Sequence, residues 1–181
     1  MSILIVDDQD AVRDVLARVL GGGGYTDILT AESAGEAFSI LGLDDPSAEI
    51  SPVDLILMDV NMPEMDGVEA CVRLKGDLHL KDIPVIMITG DTEVSGLTKA
   101  LASGAVDYIT KPPDFDVMLA RVGSAIKSKV EMDRRKSAYF TDLEEKSRIW
   151  KSPWLSWKIK TGNWKRLPWL KPKSCPPLPM S

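Results

Sequence analysis

The sequence predicts an α/β protein built on a five-stranded parallel sheet with helices on both faces. Three observations predict it. Short β-branched runs alternate with stretches whose apolar residues recur at helical spacing. The runs are largely apolar, the pattern of strands buried on both faces. Five such strand–helix units follow one another within about 125 residues, and alternation of that kind gives a parallel sheet.

The elements follow in order. Residues 3–6 are a first strand. Residues 10–20 are a helix, with Val12, Val15, Leu16, Val19 and Leu20 on one face. The run Gly21 to Gly24 should end it, because glycine suits a left-handed cap. Residues 28–31 are a second strand. Residues 33–41 are a second helix, with Ser33 as N-cap and Glu36 completing a capping box. A loop with two prolines covers 43–52. Residues 54–58 are a third strand and 66–75 a third helix, opened by the turn-forming pair Asp66-Gly67. Residues 84–88 are a fourth strand. Residues 93–103 are a fourth helix, closed by Gly104. Residues 106–109 are a fifth strand. After Lys111-Pro112-Pro113 a helix runs from 114 to about 146, with Met118, Val122 and Ile126 facing the core. Right-handed crossovers give the strand order 2-1-3-4-5, the flavodoxin-like arrangement.

Composition narrows the chemistry. The chain has 181 residues, 44% of them hydrophobic, enough for one ordinary domain with some length left over. No apolar run approaches the roughly 18–20 residues that span a bilayer. The start turns acidic at Asp7-Asp8 and does not read as a secretory signal, so the expected location is the cytoplasm. Cys71 and Cys175 make no metal or redox pair, and Cys71 beside Val68 and Val72 reads as a core thiol. His79, the single histidine, reads as a surface residue and all but excludes His triads and zinc clusters. The net charge of −5 conceals an asymmetry. Residues 1–149 carry 27 acids and 15 bases, whereas 150–181 carry seven bases and no acid. The acidic body argues against nucleic acid as its partner. Gly21 to Gly24 follow a helix and lack a lysine at Walker spacing, so they are not a phosphate cradle.

In this architecture ligands sit beyond the carboxyl ends of the strands. Strand 1 ends in Asp7-Asp8, strand 3 in Asp59 and strand 4 in Thr89-Gly90, and strand 5 is followed by Lys111-Pro112. Three carboxylates crowded together repel and need a cation. Oxygen ligands of this kind suit magnesium. A carboxylate, a magnesium ion, a lysine and a hydroxyl can together accept a phosphoryl group, with charge on its oxygens spread over the cations and the hydroxyl. The product is an aspartyl phosphate.

The segments Val6-Asp7-Asp8, Asp59-Val60-Asn61-Met62-Pro63-Glu64-Met65-Asp66-Gly67, Thr89-Gly90 and Tyr108-Ile109-Thr110-Lys111-Pro112 together resemble the CheY-like receiver domain of two-component response regulators. The resemblance covers roughly residues 2–130. It implies that Asp59 is the phosphoacceptor and that Asp8, Asp59 and the main-chain carbonyl of Asn61 bind Mg2+, with Asp7 acting through a water. It implies that Thr89 and Lys111 contact the phosphoryl oxygens. Tyr108 would turn inward as the face of helix 4, strand 5 and helix 5 repacks, possible also as a homodimer surface. The donor would be a phosphohistidine on a sensor histidine kinase or phosphotransfer protein. Phosphorylation and dephosphorylation are then self-catalysed, with no output enzyme in the chain. Pro113 departs from the family, where phenylalanine is common.

Some readings stay open. Asp7 and Asp8 could merely cap the first helix, although Asp59 and Lys111 argue otherwise. Tyr108 is either a switch or plain strand packing. Asn61 and Asp91, two residues after Asp59 and Thr89, either govern water access to the acyl phosphate or are loop polars. A haloacid-dehalogenase-type hydrolase would need an acid two residues after the nucleophile, and Asn61 stands there. A degenerate interaction module is opposed by the complete set Asp7, Asp8, Asp59, Thr89 and Lys111.

Three regions are expected: a receiver over 1–128, an extended linker helix over 129–149 and a basic Trp/Lys/Pro-rich tail over 150–181. The helix resembles the linker of receiver–diguanylate cyclase regulators, or is simply a solvated end with a poor heptad seam. All five tryptophans and six of twelve prolines lie in the tail. It reads as disordered, following truncation or a frame change, or as a contact for an anionic membrane, a protein or nucleic acid.

Overall fold

The computed structural model describes the backbone of residues 1–43, 52–90 and 94–150. The element order is β1 (Ser2–Val6), α1 (Asp10–Gly22), β2 (Asp27–Ala31), α2 (Ala34–Leu41), β3 (Leu55–Asp59), α3 (Gly67–Gly76), β4 (Val85–Thr89), α4 (Val94–Ala102), β5 (Asp107–Thr110) and α5 (Phe115–Trp150). The strands make one sheet in the order β2-β1-β3-β4-β5. Every pairing is parallel. This is the flavodoxin-like sheet that the apolar runs predict, and it ends in the expected long C-terminal helix.

The three central strands are buried at every position, which explains why polar residues enter them only at an end, as Ser2, Asp59 and Thr89. Successive residues still face opposite sides. Leu4, Val6, Ile56, Met58, Val85 and Met87 pack with Phe38 and Leu41 of α2 and Ala70, Cys71 and Leu74 of α3. Ile3, Ile5, Leu55, Leu57, Ile86 and Ile88 pack with Leu16 and Leu20 of α1 and with Met118, Val122 and Ile126 of α5. The apolar stripe read for α5 therefore faces the core. Edge strand β2 exposes Asp27 and Thr30.

Local signals hold with shifts of one or two residues. Asp66 is the N-cap of α3, its carboxylate accepting from Glu69 N at 2.7 Å. Ser33 Oγ accepts from Glu36 N at 3.2 Å. The returning bond goes to Glu32 N at 2.7 Å, one residue earlier than a capping box requires. Helix α1 continues through Gly21 and Gly22, and the positive φ of 92° falls at Gly24. Val15 is 42% exposed, because it sits about 100° around the helix from Leu16, at the margin of the apolar stripe. His79 is exposed and Cys71 is buried, its thiol donating to Ser103 O at 3.6 Å.

Residues Met1–Asp133 form one compact unit. A second unit begins at Arg134, and its described part is the remainder of α5. There Tyr139 and Phe140 are exposed and meet edge to face, with centroids 6.2 Å apart. The readings made of the tail over 151–181 lie outside the described residues. No described helix is long and apolar enough to cross a membrane.

Candidate functional site

Sheet register brings the site together. Val6 pairs with Met58, Asp59 with Ile88, and Thr89 with Thr110. The strands thus end nearly level, and one step beyond Val6 puts Asp7 beside Asp59. Carboxylate oxygens of Asp7, Asp8 and Asp59 lie within 4.8 Å of one another. Asp7 and Asp59 are buried, whereas Asp8 is exposed. Thr89, buried, closes the neighbouring strand, and its carbonyl accepts from Lys111 N at 2.7 Å. That bond carries Lys111 over the strand ends, just before a cis peptide to Pro112.

The two buried carboxylates differ in their partners. Asp7 is saturated. Its Oδ1 accepts from Gln9 N at 2.9 Å and its Oδ2 from Lys111 Nζ at 3.0 Å. Its carbonyl accepts from Arg13 Nη1 at 2.5 Å. Asp59 is not saturated. Lys111 Nζ lies 2.9 Å from Asp59 Oδ1 as an ion pair, yet off the direction of a hydrogen bond. Among the described residues, this oxygen is fully buried without a directed donor.

The loop after β3 holds Asp59 from beneath. Gly67 N donates to Val60 O at 2.9 Å. A Cβ on Gly67 would sit 2.1 Å from the main-chain oxygen of Asp59, so only glycine fits this approach. Glu64 in the same loop takes a φ of 66°.

Burial pushes the Asp59 carboxyl above its ordinary value of 3.8, and the charge of Asp7 adds to the rise. Lys111 and the main chain of Asn61 oppose this without cancelling it. Burial pulls the Lys111 ammonium down, but its close ion pair with Asp59 and its hydrogen bond and charge contact with Asp7 outweigh burial and leave it raised above 10.5. These shifts have opposite consequences for stability. The folded state holds the Asp59 proton more tightly than the unfolded chain, so stability falls as pH rises from 3.8 through the folded value. The contribution of Lys111 is complete below 10.5 and is lost as pH rises through its higher folded value. Asp59→Asn is therefore expected to raise the melting temperature at pH 7 in metal-free buffer, with the gain fading as the pH falls through the raised folded value towards 3.8. Thermal melts across that range check this, and a gain that persists unchanged in acid would count against it.

Tyr108 in β5 is half-buried against the α2–α3 side of the core. The Arg121 guanidinium lies 5.9 Å from its ring centroid and pairs with Asp107. Asn61 is exposed beside the cluster. Asp91 lies outside the described residues. The sequence reading passed over Arg13. Its only signal was position, one turn into the helix that follows Asp7-Asp8, and there an arginine reads as an ordinary surface charge.

A cleft of about 480 Å3 opens elsewhere, lined among others by Lys75, Pro84, Val106, Arg121 and Met132. Volume does not make it the reactive site. Lys75 is engaged by the carbonyls of Lys81 and Ile83, Arg121 by Asp107 and Lys129 by Asp133.

Comparison with known proteins agrees with this geometry. Residues 3–123 match the response regulator receiver domain. The transcriptional regulatory protein YvrH of Bacillus subtilis is 39% identical over 126 residues, covering 70% of this chain and 49% of that protein. The DNA-binding dual master transcriptional regulator RpaA of Synechocystis is 36% identical over 127 residues, covering 69% and 48%. The chain thus spans about half the length of these relatives. Among solved structures, the signal receiver domain of a signal transduction histidine kinase from Syntrophus aciditrophicus superposes with a TM-score of 0.62 at 35% identity, over 70% of this chain and 90% of that one. A CheY-like receiver protein from Methanospirillum hungatei gives 0.62 at 26% identity, over 72% and 97%. With its sheet order, its acidic cluster and this match over two thirds of its length, the chain belongs to the response regulator receiver family of two-component systems.

Proposed function

We propose that the chain is a phosphorylation switch in which Asp59 accepts a phosphoryl group from a phosphohistidine on a sensor kinase or phosphotransfer protein. The observation that carries this is the contrast between the two buried carboxylates. Asp7 has a donor on each oxygen, so it is a fixed acceptor. Asp59 Oδ1 has an ammonium beside it and no directed donor, so its lone pairs remain available for attack.

The donor set suits a hard divalent cation, since it is all oxygen and includes one buried orphan. Asp8, Asp59 and the carbonyl of Asn61 would hold Mg2+, with Asp7 acting through a water. When bound, the ion neutralises the crowded carboxylates and stabilises charge on the transferring oxygens. An Asp59 oxygen attacks phosphorus as the bond to the histidine nitrogen breaks, and the imidazole keeps the electron pair. Lys111 holds one phosphoryl oxygen and Thr89 donates to another.

The readout is assigned to Tyr108 and the face of α4, β5 and α5, which also offers a homodimer surface. Asn61 and Asp91 are assigned to tuning of hydrolysis by water. The receiver is placed over 1–128, with 129–149 as a linker helix. YvrH and RpaA are named as regulators of transcription. The span matched here carries the receiver, so the proposal concerns the switch and leaves the output unassigned.

Incubation with a small acyl-phosphate donor, read by intact mass, tests the reading. The wild-type chain should gain one phosphoryl group only when magnesium is present, and Asp59→Asn should gain none. A wild-type chain that stays unmodified with magnesium would remove the proposal.

A further inference from the structure

We infer that Arg13 is a positioning residue for the acidic pocket. From the first turn of α1 it holds the main-chain carbonyl of Asp7, and so sets the placement of Asp7 and Asp8 against Asp59. The inference rests on the magnesium-dependent reading above and extends it to a residue outside the ligand set.

The backbone leaves the sheet at Asp7, whose N–H makes a last ladder-like bond to Ala31 O at 3.2 Å. From there to the helix the chain has no strand partner, yet it carries two of the three pocket carboxylates. Two layers of bonds close this segment. In the backbone, Val12 N and Arg13 N both donate to Gln9 O, at 3.0 and 3.1 Å. In the side chains, the Arg13 guanidinium reaches back six residues to Asp7 O at 2.5 Å and pairs through its other arm with Asp10. The Arg13 side chain is only 11% exposed, whereas that of Asp10 is 90% exposed. The arm on Asp7 is therefore the sheltered one, and the arm on Asp10 is screened by water. A planar fork that grips two oxygens fixes orientation in a way a single ammonium does not.

Two effects of Arg13 on cation binding oppose each other. Its positive charge near the pocket disfavours a divalent ion, although its pairing with the exposed Asp10 carboxylate offsets part of that repulsion. Its grip on the Asp7 carbonyl favours the ion by holding the carboxylates ready, as outer-shell partners of metal ligands do. The two effects predict opposite signs on mutation, so the outcome decides between them.

The test compares wild type with Arg13→Met and Arg13→Lys. Magnesium affinity is read by the cation-dependent shift in melting temperature and by calorimetric titration. The rate of phosphorylation by a small acyl phosphate is followed across magnesium concentrations. Arg13→Met is expected to raise the half-saturating magnesium about tenfold, the lower end for outer-shell partners of a metal. The rate at saturating magnesium should fall much less, since Arg13 touches no carboxylate of the ligand set. Arg13→Lys keeps the charge but not the fork, and should stay several-fold weaker than wild type. It also serves if Arg13→Met folds poorly. Unchanged or tighter magnesium binding in both variants would overturn the role of Arg13 while leaving the switch intact. Absence of any magnesium effect in the wild type would instead remove the reading of the pocket, and this inference with it.

Discussion

Gly67→Ala is expected to lower the melting temperature by about 10 °C and to abolish the stabilisation by magnesium. The new Cβ would meet the main-chain oxygen of Asp59 at 2.1 Å and its carbonyl carbon at 3.0 Å. Neither atom is the end of a flexible side chain, so relief requires the β3–α3 loop to move. Overpacking of this kind costs about 1–3 kcal/mol and sometimes more, and each kcal/mol shifts the melting point of a domain this size by a few degrees. The struck atom belongs to Asp59 itself, so the shift is transmitted to the carboxylate. Melting curves with and without magnesium would show both effects. A variant that melts like wild type and still responds to the ion would mean that the loop is softer than its burial suggests.

Lys111→Met should be destabilised in magnesium-free buffer at pH 7 and should recover as the pH falls. Removing the ammonium leaves Asp7 and Asp59 buried and facing each other. Breaking a buried pair costs about 3–5 kcal/mol. The Lys111 side chain is 26% exposed, and water reaching the site reduces this to roughly 1–3 kcal/mol. Lys111 also lowers the pKa of Asp59, so its loss raises that pKa further. The folded variant then takes up a proton at a higher pH than wild type does, and the deficit shrinks as that proton binds. Magnesium should offset the deficit at neutral pH, because a ligand that binds only the folded state stabilises it. Phosphorylation should leave Tyr108 unmoved in this variant, since no ammonium holds the phosphoryl oxygens. A deficit indifferent to both pH and magnesium would show that Lys111 acts by packing alone.

The sheet was legible because its signal is local and repeated. Each central strand is buried at every position and polar only at one end, the pattern of a sheet covered on both faces. The pocket was legible for a related reason. Parallel strands ending level bring their last residues together, so Asp7, Asp59, Thr89 and Lys111 could be grouped before any coordinate was known. What stayed hidden depends on distances between segments remote in sequence. Asp66-Gly67 reads as a turn, but the need for a missing Cβ arises only because the carbonyl oxygen of Asp59 lies 2.1 Å from where that Cβ would sit. Arg13 reads as a surface charge, and its fold-back onto Asp7 O is a matter of rotamer. Gly21 and Gly22 read as a stop, yet the helix runs through them to Gly22. Glycine weakens a helix by about 1 kcal/mol without forbidding it.

The partners in the pocket also span nearly the whole receiver, since Lys111 and Asp7 are 104 residues apart in the chain. Asp7 follows the first strand and Lys111 follows the last. During synthesis the carboxylates therefore leave the ribosome long before the lysine, and they lack its ammonium until the fifth strand docks at the sheet edge. A nascent chain therefore cannot assemble the finished cluster until β5 has taken its place beside β4.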